Sequence, residues 1–331
     1  MKTVKKISIV TALHATVVSV LLLLFLWPAA TAESKNLPIG LVGPSQQTAM
    51  IADRLSSQSP NALIITEFET ASDAQTAIEQ KEIYGAIVLG TNPSVIVASA
   101  ANPSVANSVK DLGNKLLQLT ASQQGNSLPS VGVTDLAELP ANDPRGAIFG
   151  GAALPLVIGG ISLGAIGALQ LRSRRDRIIF GFSASTLTGL LAAVWVSSVF
   201  GALPAGVAAN WLVFSAIIAA IGFSLMGSHT VAGIAGFGIT AATLFLVGNP
   251  LNGVGLPMEF YADPWGQIGQ MMPIGSGFEL LKRVNFFEAA SQSQQWFVLG
   301  AWGLVGLSLT LIRSKQNTLK TATETDGKGS F

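Results

Sequence analysis

Along most of this chain the apolar residues do not alternate with polar ones; they run together for some twenty positions at a time. A helix rises about 1.5 Å per residue, so crossing a bilayer takes about 20 mostly apolar residues. Six stretches meet that length: 7–30, 147–171, 178–203, 208–226, 230–247 and 295–312. No Asp, Glu, Lys or Arg occurs between residues 178 and 258, a run that a water-facing fold does not sustain.

The segment between the first two stretches has a different rhythm. Residues 37–43 (LPIGLVG), 61–69 (NALIITEFE), 84–90 (YGAIVLG), 94–100 (SVIVASA) and 130–136 (SVGVTDL) read as strands. Residues 45–58, 71–83 and 104–123 carry apolar side chains at helical spacing. Strands alternating with helices predict a compact α/β (α+β) domain, and this length suffices for a core of its own. The expected fold class is therefore a polytopic α-helical membrane protein with six transmembrane helices and an extracytoplasmic α/β (α+β) domain inserted between helices 1 and 2. Residues 1–32 would form the cytoplasmic N-terminus and first helix, and 33–146 the outer domain. Residues 147–312 would form a five-helix block, with an outer amphipathic or re-entrant segment at 249–294, followed by a cytoplasmic tail at 313–331.

Charge orients this arrangement. Lys2, Lys5 and Lys6, the run RSRRDR at 172–177, and Arg313, Lys315 and Lys320 mark three ends of the apolar stretches. Six crossings put all three on one side, which the positive-inside bias assigns to the cytoplasm. Trp27, Trp211 and Trp296 then fall at outer ends, as an aromatic belt requires. The expected location is a bacterial plasma membrane, multi-pass, with both termini cytoplasmic. A competing reading takes AATAES at 29–34 as a signal-peptidase site, which would remove the first helix and leave the other five oriented as before.

Composition agrees: 49% of residues are hydrophobic and 11% charged, against about a quarter charged in soluble domains. A formal net charge of +1 gives no reason to expect a nucleic-acid partner, and without cysteine there is no disulfide or thiolate metal site. The outer segment contains no His, so a Ser-His-Asp arrangement is unavailable within it, and Glu67, Glu69, Asp73 and Glu82 are spread as on a solvated face. His14 and His229 are the two histidines, and the apolar stretches carry no Asp or Glu of the kind that proton-coupled transport requires. No cofactor, metal or enzymatic activity is expected. Gly146, Gly150, Gly160 and Gly164, with Gly233, Ala235, Gly236 and Gly238, supply small faces for close helix packing, either inside the bundle or at a dimer seam.

The stretch MMPIGSGFELLKRVNFF (271–287) stands apart. Pro273, Gly275 and Gly277 interrupt the chain, and Ser276 and Glu279 have capping-box spacing. Leu280, Leu281, Val284 and Phe287 fall on one face, and Glu279, Lys282, Arg283 and Glu288 on the other. Too short to cross, it predicts an outer re-entrant helix built on Pro273, Gly275, Gly277, Leu281, Arg283 and Phe287, packed on the outer mouth of the bundle.

Two stretches carry a resemblance: LPIGLVG with the following helix and ASDAQTAIEQKEIYGAIVLG, and QMMPIGSGFELLKRVNFFEAA. With a first helix, an outer domain and a five-span block, the chain resembles the ABC-2-type permease-like membrane proteins that include the phage infection protein (Pip) group. The resemblance implies a permease-like subunit of an exporter of hydrophobic or amphipathic cargo, a homodimer or heterodimer within membrane lipid. It also implies a separate ATP-binding subunit, since no Walker pattern is present here. That subunit would face the inner loop carrying Arg172, Arg174, Arg175 and Arg177. The loop is shorter than in the family, and its arginines also suffice as topology anchors. The alternative function is a non-transporting envelope protein presenting its outer domain for adhesion, secretion-apparatus assembly or phage adsorption.

Overall fold

The computed structural model describes residues 2–32, 35–90, 92–123 and 131–312; Arg313, Lys315 and Lys320 lie outside the described residues. It is mostly helical with one small sheet.

Helix α1 spans Lys2–Ala30, and β1 (Leu37–Val42), α2 (Ser45–Gln58), β2 (Leu63–Phe68), α3 (Ala71–Glu79), β3 (Gly85–Val88), β4 (Ser94–Val97), α4 (Pro103–Gln123) and β5 (Gly132–Asp135) follow. The strands order β2-β1-β3-β4-β5; β3 and β4 form an antiparallel pair and the other neighbours run parallel. Parallel strands need both faces covered, and both are. Leu37, Ile39, Leu41, Ile87, Val95 and Val97 are buried in a cluster with Val105, Val109 and Leu117 of α4. Val42, Ala86 and Ile96 pack with Ala74, Ala77 and Ile78 of α3, and this second cluster also takes in Phe287 and Ala290 from the far end of the chain. The helix expected over 71–83 stops at Glu79, and Lys81 adopts φ 63, the left-handed turn that leads the chain into β3.

Among the described residues four helical segments are long and apolar enough to cross a membrane: Val4–Pro28, Ala147–Leu169, Arg174–Val199 and Gly206–Gly248. The second is α5 (Ala147–Gly151) running into α6 (Ala153–Leu169). The interruption at Ala152 stands three residues before Pro155, whose missing N–H cannot reach the carbonyl of Gly151. Next come α7 (Arg174–Ala193), widening into a π turn at Val194–Val199, and α8 (Gly206–Ala242), widening similarly at Thr243–Gly248. The fourth and fifth apolar stretches thus follow each other directly, as two helices joined at a kink within this element. Inside it Gly233 has φ 61 and ψ −149, a backbone state that side chains exclude. There the chain reverses, for Gly236 comes against the carbonyl of Ser228.

After a turn-rich stretch come α9 (Trp265–Gln270), α10 (Pro273–Phe286) and α11 (Ser293–Leu311). The first leg of α8 is the hub of the block: Phe214, Ile217, Ile218, Ile221 and Leu225 are all fully buried. Gly160 and Gly164 of α6 admit Ile221 and Leu225, and Gly306 of α11 lies on the backbone of Phe223 and Ser224. The α6 glycines therefore serve packing within one chain. Gly146 instead caps α5 in the left-handed state, while Gly238 faces open space. Helix α1 stands apart with its side chains largely exposed, touching the block through Phe25 against Phe245 (5.8 Å between ring centroids) and Trp27 against Trp265 (6.0 Å).

Candidate functional site

The second stretch of the sequence resemblance forms α10, and its local structure departs from the capping-box reading. The helix begins at Pro273, with Met272 extended before it, so Ser276 lies inside the first turn. Proline suits that position because its absent N–H would be unpaired anyway. Ser276 is buried, its hydroxyl 3.4 Å from the carbonyl of Gln295. Gly275 and Gly277 do not break the chain; they allow α10 to lie against the carbonyl of Gly269 and the side chain of Ile217. Leu281 is fully buried in the helical block, whereas Phe287 belongs to the core beneath the outer sheet.

The polar side of α10 is not a solvated face either. The sheet domain covers it. Lys81 Nζ donates to both carboxylate oxygens of Glu279, at 2.5 and 2.6 Å, and stands 5.7 Å from the centre of the Phe287 ring. Arg283 Nε donates to the same carboxylate at 2.8 Å, and its Nη1 to the carbonyl of Ser291. Lys282 is 7% exposed, and its Nζ donates to the carbonyls of Ala101 and Gly253, each at 3.2 Å. The Tyr84 hydroxyl donates to Glu259 at 2.8 Å. Lys81 and Tyr84 come from the KEIYGAIVLG stretch, so the two segments that carry the resemblance, nearly two hundred positions apart, meet in space.

These groups line a cleft of about 460 Å³ between the sheet domain, the stretch before α9, and helices α9 to α11. Burial alone pushes the Glu279 carboxyl up, but the charges of Lys81, Lys282 and Arg283 outweigh it and hold it down at about 2. Burial and the neighbouring Lys81 bring Lys282 down to about 8, partly offset by Glu279 and Glu259. Burial, then the adjacent Glu259, raises Tyr84 well above its ordinary value, so its hydroxyl stays a neutral donor. Among the described residues Lys282 has no carboxylate within ion-pair distance, and no group of three His, Cys, Asp or Glu could hold a metal. The cleft offers charged groups and hydrogen bonds for binding.

At the opposite end of the block the four predicted arginines divide. Arg172, Arg174 and Arg175 are exposed, with Arg174 Nη1 3.3 Å from the carbonyl of Leu311. Arg177 turns inward, donating to the carbonyls of Leu171 (2.8 Å) and Ala168 (3.1 Å) and to Thr230 Oγ1 (3.1 Å). It caps the carbonyl end of α6 and ties it to the reversal of α8.

Of the cleft residues, sequence reasoning singled out Arg283 as part of the outer helix, placed Glu279 and Lys282 only on its non-apolar face, and missed Lys81, Tyr84 and Glu259. The usable signal was Lys282-Arg283 itself, an adjacent pair of charges in an almost uncharged half-chain. No family model and no curated protein matches the chain.

Proposed function

We propose that the chain is a six-crossing membrane protein acting as the permease-like subunit of an ABC-2-type exporter. In this reading it moves hydrophobic or amphipathic cargo outward, with a separate ATP-binding subunit on the cytoplasmic side of a bacterial plasma membrane. The observation that carries it is α10: a short helix seated against α8 and before the last helix, buried in the block on one side and ion-paired to the outer domain on the other.

Which ends lie together supports the reading of six crossings. Asn210, early in α8, bonds Asn285 at the end of α10. Gly248, at the far end of the same element, lies beside Met272 and Ile274. Thr230, between them, meets Arg177 at the opposite end of the block. The long element therefore goes and returns, counting as two crossings. Helix α11 supplies another, from Gln295 in the cleft to Leu311 beside Arg174.

The test is recovery of the full chain from its native membrane in mild detergent. A stoichiometric ATPase that co-purifies, and whose turnover responds to the chain, is the expected result. Its reproducible absence overturns the exporter reading and favours a non-transporting envelope protein. That second reading has its own support: the α6–α7 connection is only 170–173, and Arg177 is used up as an internal staple, leaving Arg172, Arg174 and Arg175 as the exposed basic surface for a partner.

A further inference from the structure

Two polar groups in the cleft lack the partners their burial demands. Gln295 is 5% exposed, lines the cleft, and its Oε1 has no hydrogen-bond donor among the described residues. A buried amide oxygen left unpaired loses its hydration without compensation, so a partner is expected there. Lys282 is a buried cation held by two neutral carbonyls, with its third N–H unassigned and no carboxylate in ion-pair reach among the described residues. Lys81 and Arg283 share the single carboxylate of Glu279, and Glu259 is engaged by Tyr84. Glu82 also lines the cleft, on an exposed side chain, so carboxylates and cations match in number, and Lys282 is a buried cation left without an ion pair among the described residues.

A ligand that completes this site carries one negative charge for Lys282 and hydroxyl or N–H donors for Gln295. Gln267, Gln270 and Gln294 line the same cleft and supply further amides suited to hydroxyl groups. The position narrows the source. Trp265, two residues before Gln267, packs edge-on against Trp27 near the end of α1. Indole rings collect at lipid headgroup depth. We infer that this cleft binds the headgroup of an anionic, hydroxyl-bearing phospholipid of the phosphatidylglycerol class, its phosphate on Lys282 and a hydroxyl on Gln295. The inference rests on the membrane placement proposed above but not on export, and binding is read out separately from any ATPase.

The experiment is native mass spectrometry of the full-length chain in detergent, titrated with phosphatidylglycerol or phosphatidylcholine, the latter zwitterionic and without hydroxyl donors. Retention of phosphatidylglycerol about tenfold above phosphatidylcholine is expected, given the strength of hydrogen bonds to charged groups. Lys282→Met keeps the apolar stem and removes the charge, and should abolish that preference. Gln295→Leu should weaken binding about fivefold while leaving every cation in place, and it decides the matter if the Lys282 variant does not fold. Equal retention of both lipids, or Gln295→Leu binding like the unaltered chain, overturns the assignment. Displacement of the lipid by soluble glycerophosphoglycerol at matching concentration also overturns it, since the occupant would then be a free phosphodiester.

Discussion

Glu279 shows how one residue can join two parts of a molecule. Its carboxylate is 15% exposed and receives Lys81 from the outer domain and Arg283 from its own helix. Breaking such a buried pair costs about 3 kcal/mol, because the cations stay behind without their counter-charge. Glu279→Gln should therefore lower the melting temperature in detergent and speed proteolysis of the outer domain. Acid should act the same way on the unaltered protein. The folded carboxyl sits at about 2, below its ordinary value of 4.5, so its contribution is complete above pH 4.5 and is lost as the pH falls toward 2. Glu279→Gln should flatten that part of the pH profile; a variant that keeps the acid sensitivity would assign it to another group. None of this was legible from Glu279 in sequence. On a helical wheel it falls among Lys282, Arg283 and Glu288, and only Glu288 is exposed. A wheel records which residues share a face, not what covers that face.

At the level of elements, composition carried further. Apolar length alone picked out six stretches, of which the described residues show four membrane-length helical segments, and the alternation of short β-rich and helical patterns anticipated the order of strands and helices around the sheet. What composition could not supply was the meaning of each glycine. Glycines 160, 164 and 306 buy close approach, and Gly233 permits a reversal. These roles separate on substitution. A Cβ at Gly306 would meet the backbone of Phe223 and Ser224, which cannot yield, while one at Gly300 on the same helix meets nothing within 4 Å. Gly306→Ala should cost about 1–3 kcal/mol, as overpacking does, and Gly300→Ala should leave thermal stability unchanged or raise it. Gly233→Ala should cost about 2 kcal/mol through backbone strain with no new contact, for nothing lies within 4 Å there. Thermal unfolding of the three variants side by side distinguishes packing from conformation.

For the whole molecule the open question is how many times the chain crosses, and the cleft makes the answer testable. The Tyr84 hydroxyl belongs to the outer domain and Glu259 to the stretch after α8, so their bond puts both on one side of any membrane. If the long element 206–248 crossed once, residue 258 would lie on the side opposite residue 205, and that bond would have to span a bilayer core about 30 Å thick. A go-and-return path removes the conflict and brings residue 232, at the reversal, to the face that bears Arg172. The chain contains no cysteine, so single cysteines report position without background. Lys115, Met258, Arg172 and Ala232 are all exposed. In intact cells a membrane-impermeant maleimide should label Lys115→Cys and Met258→Cys, and should reach Arg172→Cys and Ala232→Cys only after permeabilisation. Labelling of Met258→Cys with the inner pair would mean a single crossing and would break the link between outer domain and α10 on which the cleft depends. Labelling of Ala232→Cys from outside would place the reversal at the outer surface, leaving Arg177 and Thr230 on the wrong side for the basic loop they join.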